Sequence, residues 1–221
     1  MKLPVLDSYK IDGQAAGAAV EEIDILDTVW TETSSGTTLT GTITTAVVGK
    51  LVLVSVTTRT DITGVTAGWT LLTTSQIIPT GNQRNYIYYK IAESTSEAIQ
   101  ITTGVAGHIY ITLLAFNTAK VPVEDASMSL LSSTYNAFTY TKPAAKKYII
   151  VASEYYWSTT SPYAPWTISP SIFHFANLSY STQRRQLTLF DIGDPVARTC
   201  TAPTSGSADA YKVAICAVYF E

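Results

Sequence analysis

Charge is what this sequence has least of. Asp, Glu, Lys and Arg make up 14% of its 221 residues, 17 acids against 14 bases, where an ordinary soluble domain carries about a quarter. With a net charge of −3 there is no basic face for nucleic acid, and none is expected as a partner. The Lys146-Lys147 and Arg184-Arg185 pairs stand alone and read as solvated edge charges. Long apolar runs are missing too. None approaches the ~20 residues of a membrane helix, so no membrane insertion is expected. The start, "MKLPVLDSYKIDGQ", lacks the apolar core and small-residue cleavage site of a signal peptide, and synthesis in the cytoplasm without such a signal is expected.

Residues that carry chemistry are equally scarce. Cys200 and Cys216 are the only cysteines. They read as buried thiols, and a disulfide stays open only if their strands pair side by side. His108 and His174 are the only histidines, and neither sits beside a Gly-x-Ser-x-Gly elbow that would supply a nucleophile. No Cys-x-x-Cys or His-x-x-x-His spacing marks a metal centre. Asp191 and Asp194 in "DIGDP" have oxygens for calcium, but one Asp-x-x-Asp reads better as a turn closed by Asx hydrogen bonds. A glycosidase needs two carboxylates across a cleft, and no pair is privileged. "GTTLTGT" (36–42) lacks the Lys and the helix of a phosphate loop. The chain is expected to be no enzyme, with no catalytic residue, metal or cofactor.

What is present is apolar, β-branched and aromatic. Hydrophobic residues reach 46% and aromatics 11%, so Thr, Ser, Asn and Tyr must cover the surface, a composition suited to pleated sheets. Strands are expected at 37–46, 50–58, 69–78, 84–92, 97–103 and 108–116. A second set is expected at 136–141, 147–156, 171–178, 184–190, 197–202 and 210–219. "KLVLVSV" (50–56) and "KYIIVAS" (147–153) are apolar for longer than alternation allows and read as central strands buried between two layers. The spacing predicts an all-β, two-sheet β-sandwich over 28–221. Residues 1–27, with "GQAAGAA" (13–19) and the acidic "AAVEEIDILD" (18–27), read as an N-terminal arm or docking segment.

The chain also echoes itself. Lys50 and Lys147, Val54 and Val151, Trp69 and Trp166, and Thr70 and Thr167 are each 97 positions apart. "RNYIYYKIA" (84–92) answers "RRQLTLFDIG" (184–193), and "YITLLAF" (110–116) answers "KVAICAV" (212–218) at an offset of 102. Pseudo-duplicated halves at about 37–120 and 136–220 are expected. Trp69 and Trp166, common to both, read as scaffold rings plugging one end of the sandwich. Before Trp166 the stretch "EYYWSTTSPYAPW" (154–166) carries Tyr155, Tyr156, Trp157 and Tyr163, where "TTRTDITGVTAGW" (57–69) has Thr58, Arg59, Thr60 and Thr66. The scaffold does not need those four rings, so they are the candidate contact or ligand surface. Alternation from Val151 puts Tyr155 and Trp157 on one face and Tyr156 on the other.

"VGKLVLVSV…TAGWTLL…NYIYYKIA…ITLLAFNTAKVPVEDAS", followed by "WTISP…LTLFDIG…ADAYKVAICAV", resembles β-domains of bacteriophage virion proteins over about residues 28–220. The resemblance implies a jelly-roll-like sandwich serving as a tail, fibre or capsid-surface module of a virion, with no catalytic residues. It implies partners in itself, as a homo-oligomer with a trimer as the expected order, and in other virion proteins. The alternative is a carbohydrate- or receptor-binding module that stacks exposed rings on a host-surface glycan. Trp166→Ala is expected to cost ~3–5 kcal/mol of stability in chemical denaturation, as for a buried aromatic. Trp157 and Tyr163 replaced together by Thr should cost less than that and instead weaken assembly or ligand binding, measured by light scattering and glycan-array binding.

Overall fold

Leu51–Thr58 is buried at all eight positions, and the architecture follows from covering such a strand on both faces. The structure is a computed structural model that describes residues 22–77, 83–126, 131–132, 137–144, 146–155, 167–169, 176–181, 184–191, 195–201 and 212–221. Among these residues it is all-β, with antiparallel sheets and no helix. The first half holds β1 (Ile25–Ile43), β2 (Leu51–Thr58), β3 (Ile62–Val65), β4 (Thr70–Ile77), β5 (Gln83–Ile91) and β6 (Glu97–Phe116). The second holds β7 (Val123–Glu124), β8 (Leu131–Ser132), β9 (Ala137–Thr141), β10 (Lys147–Tyr155), β11 (Thr167–Ser169), β12 (Ala176–Ser181), β13 (Arg184–Asp191), β14 (Ala197–Thr201) and β15 (Lys212–Phe220).

The first sheet runs β1-β6-β2-β5-β4, and the second runs β12-β13-β10-β15-β7. A third, small sheet is ordered β11-β14-β9. Read from the centre, β6-β2-β5-β4 and β15-β10-β13-β12 follow one order, and β3 pairs β6 as β11 pairs β14. Of the segments that answer each other in sequence, those on β2 and β10, β5 and β13, and β6 and β15 take matching places, whereas Thr70 opens β4 in the first large sheet and Thr167 opens β11 in the small one, so that match does not hold.

Three hydrophobic clusters separate the layers. The central one joins the two large sheets: Leu51, Leu53, Ile87, Leu114 and Phe116 from the first meet Ile149, Val151, Phe190, Cys216, Val218 and Phe220 from the second. Phe116, Phe190 and Phe220 form its aromatic knot, with Phe116 edge-on to Phe190 at 5.5 Å and 5.5 Å from Phe220. Toward the other end the same interface turns polar and is closed by hydrogen bonds. Ser55 Oγ and Thr188 Oγ1 meet at 2.7 Å across the sheets. Fully buried Asn85 accepts from Thr57 Oγ1 at 2.8 Å and donates to the Ala214 carbonyl at 2.8 Å.

The outer faces are covered from within each half. Along β6, "EAIQIT" alternates buried and exposed, whereas "IYITLLAF" is buried throughout. The two runs, expected as separate strands, are one strand bent at 104–107, where its register with β1 shifts around Gly36. The bend folds Ile99, Ile101 and Leu39 over Val54, Val56, Ile111 and Leu113. At Gly41 the walls nearly touch: a Cβ there would lie 2.6 Å from Leu113 Cδ1 and 3.0 Å from Ile111 Cγ2. In the second half Phe138, Tyr140 and Cys200 of the small sheet cover Ile150, Ala152, Leu187 and Ile215.

Several boundaries differ from expectation. β1 begins at Ile25, twelve residues before the strand expected from 37, because Val29 packs on the first core and Ile25 on the central one. Ile23 is buried in the central cluster, and Asn117 ties the chain there, donating to Glu22 O and accepting from Asp24 N. Residues 25–27, assigned to the arm, thus belong to the sheet, residues 22–24 lead into it, and residues 1–21 lie outside the described residues. β3, β7 and β8 are too short to leave a periodic signal. Cys200 and Cys216 are free and sit in different clusters, and their strands do not pair.

Phe116→Ala should lower unfolding free energy by ~3–5 kcal/mol, and Gly41→Ala by ~1–3 kcal/mol through overpacking. Urea denaturation followed by circular dichroism measures both.

Candidate functional site

The sequence places its candidate surface on Tyr155, Tyr156, Trp157 and Tyr163. Tyr155 is the last residue of β10, its backbone registered against Arg184 and Lys212. Tyr156, Trp157, Tyr163 and the scaffold ring Trp166 lie outside the described residues, as do His174 and Asp194. Trp69 follows a turn that Gly68 makes with φ +88°, a left-handed conformation that favours glycine. Its ring packs on the first cluster, and Nε1 donates to the Ala98 carbonyl at 3.0 Å. His108 lies beyond the β6 bend and stacks on Tyr110 at 6.2 Å.

Most charged groups in the described structure serve the fold. Asp191 is fully buried, its Oδ2 3.2 Å from Arg198 Nη1 and accepting from Tyr140 OH at 2.8 Å. Its carboxylate is thus taken up by the protein. Burial, and then the hydrogen bond to Asp191, push the Tyr140 hydroxyl above its usual range. Cys200 beside them is pushed up to about 12, first by burial and then by the Asp191 charge. Burial also raises Cys216 to about 12. Neither thiol is primed as a nucleophile at neutral pH. Glu97 clasps the turn after β5: its Oε1 accepts from the backbone N–H of Glu93 at 2.7 Å and of Ser94 at 2.9 Å, and its Oε2 meets Lys90 Nζ at 2.9 Å. Burial alone would raise its pKa. The Lys90, Ser94 and Glu93 hydrogen bonds outweigh burial and hold it below the usual 4.5.

Two features of the described surface are not spent in this way. The first is a cleft of ≈ 320 Å³ lined by Arg59, Thr60, Asp61, Thr63, Arg84, Gly104 and Val105. It opens where β2 ends, β3 begins and β6 bends. Arg84, at the start of β5, is nearly buried and donates Nη1 to the Arg59 carbonyl at 2.9 Å and Nη2 to Asp61 Oδ2 at 3.3 Å. Its Nε lies 2.7 Å from Asp61 Oδ1 as an ion pair, too far off line to be a hydrogen bond. Arg59 is exposed and has no salt bridge among the described residues. Next to Arg84, Asn85 reaches Ala214, which pairs Ser153 two residues before Tyr155. β10 therefore ends on the same side of the molecule as the cleft.

The second feature is the edge strand β1. Leu26 and Trp30 on it are 47% and 53% exposed. Sequence reasoning passed over both features. In "TTRTD" (57–61) the Arg-x-Asp that directly follows a run as apolar as "LVLVSV" is conspicuous in so weakly charged a chain. Trp30 fell between the arm and the first expected strand.

Asp191→Ala would remove the carboxylate beside the buried Arg198 cation and should cost ~3–5 kcal/mol, against ~1.5–3 kcal/mol for Tyr140→Phe. For Glu97, whose folded pKa is depressed, the contribution to stability is present above the usual 4.5 and is lost as pH falls through the lower folded value. Urea midpoints measured across that range should fall with pH in the wild type and fall less in Glu97→Gln. Compared with known protein families, curated proteins and solved structures, the chain matches none.

Proposed function

We propose that the chain is a non-enzymatic structural subunit of a bacteriophage virion, a tail, fibre or capsid-surface module. In this reading it assembles with itself and with neighbouring virion proteins. The two large sheets facing each other across one core support reading the fold as a jelly-roll-like β-sandwich. The shared strand order of the halves supports an old duplication.

The observation that carries the proposal is β1. It is the last strand of its sheet, 19 residues long, and from Asp27 to Thr33 its register with β6 is unbroken. Proteins that stay apart blunt such edges with Lys, Pro, bulges or inward charges. β1 has no Lys or Pro, its register shifts lie at either end of the straight run, and within that run it carries only Asp27 and Glu32 as charges. Trp30 stands exposed at the midpoint of that run, and Trp is the residue most at home in the desolvated centre of an interface. A strand from a second copy would pair the backbone row that no described strand pairs, and cover Trp30 and Leu26.

Light scattering on the purified chain should give a multiple of 23.9 kDa. Leu26→Lys combined with Trp30→Lys should give the monomer with an unchanged circular dichroism spectrum. A wild type that is monomeric at all concentrations removes self-assembly. Mass spectrometry of purified particles tests the virion role, and absence of the chain from them removes it.

A further inference from the structure

We propose that the Arg59 cleft is a binding site for an acidic sugar, a pyranose bearing one carboxylate. This goes beyond assembly and uses a surface separate from β1.

Two guanidiniums face one carboxylate in the cleft, so it is locally positive in a chain of net charge −3. Asp61 is committed to Arg84, which leaves the planar donor fork of Arg59 for an incoming anion. Such a fork matches a carboxylate with two parallel hydrogen bonds. With no Lys in the lining, one uncommitted positive charge suits a singly charged group better than a polyanion.

The remaining lining suits a sugar ring. A cleft of ≈ 320 Å³ stands at the small end of ligand sites, about 300 Å³ upward. Thr60 Oγ1 and Thr63 Oγ1 each donate at 3.4 Å to a β6 carbonyl, long bonds that ligand hydroxyls can replace. The Asp61 side chain is 73% exposed and keeps lone pairs toward solvent. Val105, 63% exposed, supplies an apolar wall for the C–H face of a pyranose.

The site is also held in place. The Arg59 N–H donates to the His108 carbonyl at 3.3 Å, and the Arg59 carbonyl is fixed by Arg84. A Cβ at Gly107 would lie 3.4 Å from Arg59 Cβ, so the bend of β6 supports the base of the side chain. Little ordering remains to be done on binding, which preserves affinity.

The test is an NMR titration of the isotope-labelled full-length protein with sodium glucuronate at low salt, where an exposed charge contact is least screened. Saturable shifts are expected at Arg59–Thr63, Arg84 and Gly104–Val105, with a Kd on the order of 1 mM. Glucose, which lacks the carboxylate, should bind about tenfold more weakly or less. Arg59→Ala, a change at an exposed side chain, should weaken glucuronate ~10–100-fold. Arg59→Lys, which keeps the charge and loses the fork, should also weaken it. Thr63→Val should weaken glucuronate and leave sodium acetate unchanged. Absence of shifts, or undiminished binding by Arg59→Ala, overturns the site. Acetate or phosphate saturating the same signals as tightly as glucuronate overturns the sugar in favour of a bare anion.

Discussion

The structure depends on one constraint: its central strands are buried on both faces. β2 has no exposed side chain, and Tyr148–Ser153 of β10 is buried without a break. A sheet with two apolar faces must be covered twice. One cover is the opposite large sheet, held through the Phe116–Phe190–Phe220 knot. The other comes from each half's own chain. Among the described residues there are no helices to supply it, so strands do. In the first half the paired β1 and β6 bend and lie back over the sheet they started from. Gly41 marks the closest approach, where a side chain would collide with Leu113.

The central interface is apolar at one end and hydrogen-bonded at the other. Greasy contacts alone tolerate sliding of one sheet over another. The Ser55–Thr188 pair and the Asn85 bond to Ala214 do not, because any shift strands a buried polar group. The register they impose is inherited by the strand ends beyond them. Arg84 adjoins Asn85 and anchors the cleft, so the fixed core and the open rim are one continuous piece of backbone.

Scarcity of charge sharpens both the fold and the surface. Asp191 with Arg198, Glu97 with Lys90, and Asp61 with Arg84 are pairs that hold turns and strand ends. With so many ionic groups committed, an exposed Arg59 in a cleft and an exposed Trp30 on a lightly charged edge stand out. They are surface features that the packing of the described core does not require.

The all-β class was legible in the sequence because its signals are local: continuous apolar runs at 50–56 and 147–153, alternation at 97–103, and turns between them. The likeness of 50–56 to 147–153 was legible for the same reason, since strands buried on both faces carry continuous apolar runs. Two things were not. The joining of 97–103 and 108–116 into one bent strand depends on what each run packs against, and pattern alone does not say that two differently exposed runs share a backbone ladder. The extension of β1 back to Ile25 depends on Val29 finding the first core and Ile23 the central one, contacts with residues far along the chain. The cleft is the clearest case. Arg59, Arg84 and Val105 are scattered through the sequence, and only the meeting of the β2 end, the β5 start and the β6 bend brings them together. Composition and periodicity determined which segments become strands; the requirement to cover each central sheet twice decided how they are stacked, and the stacking made the site.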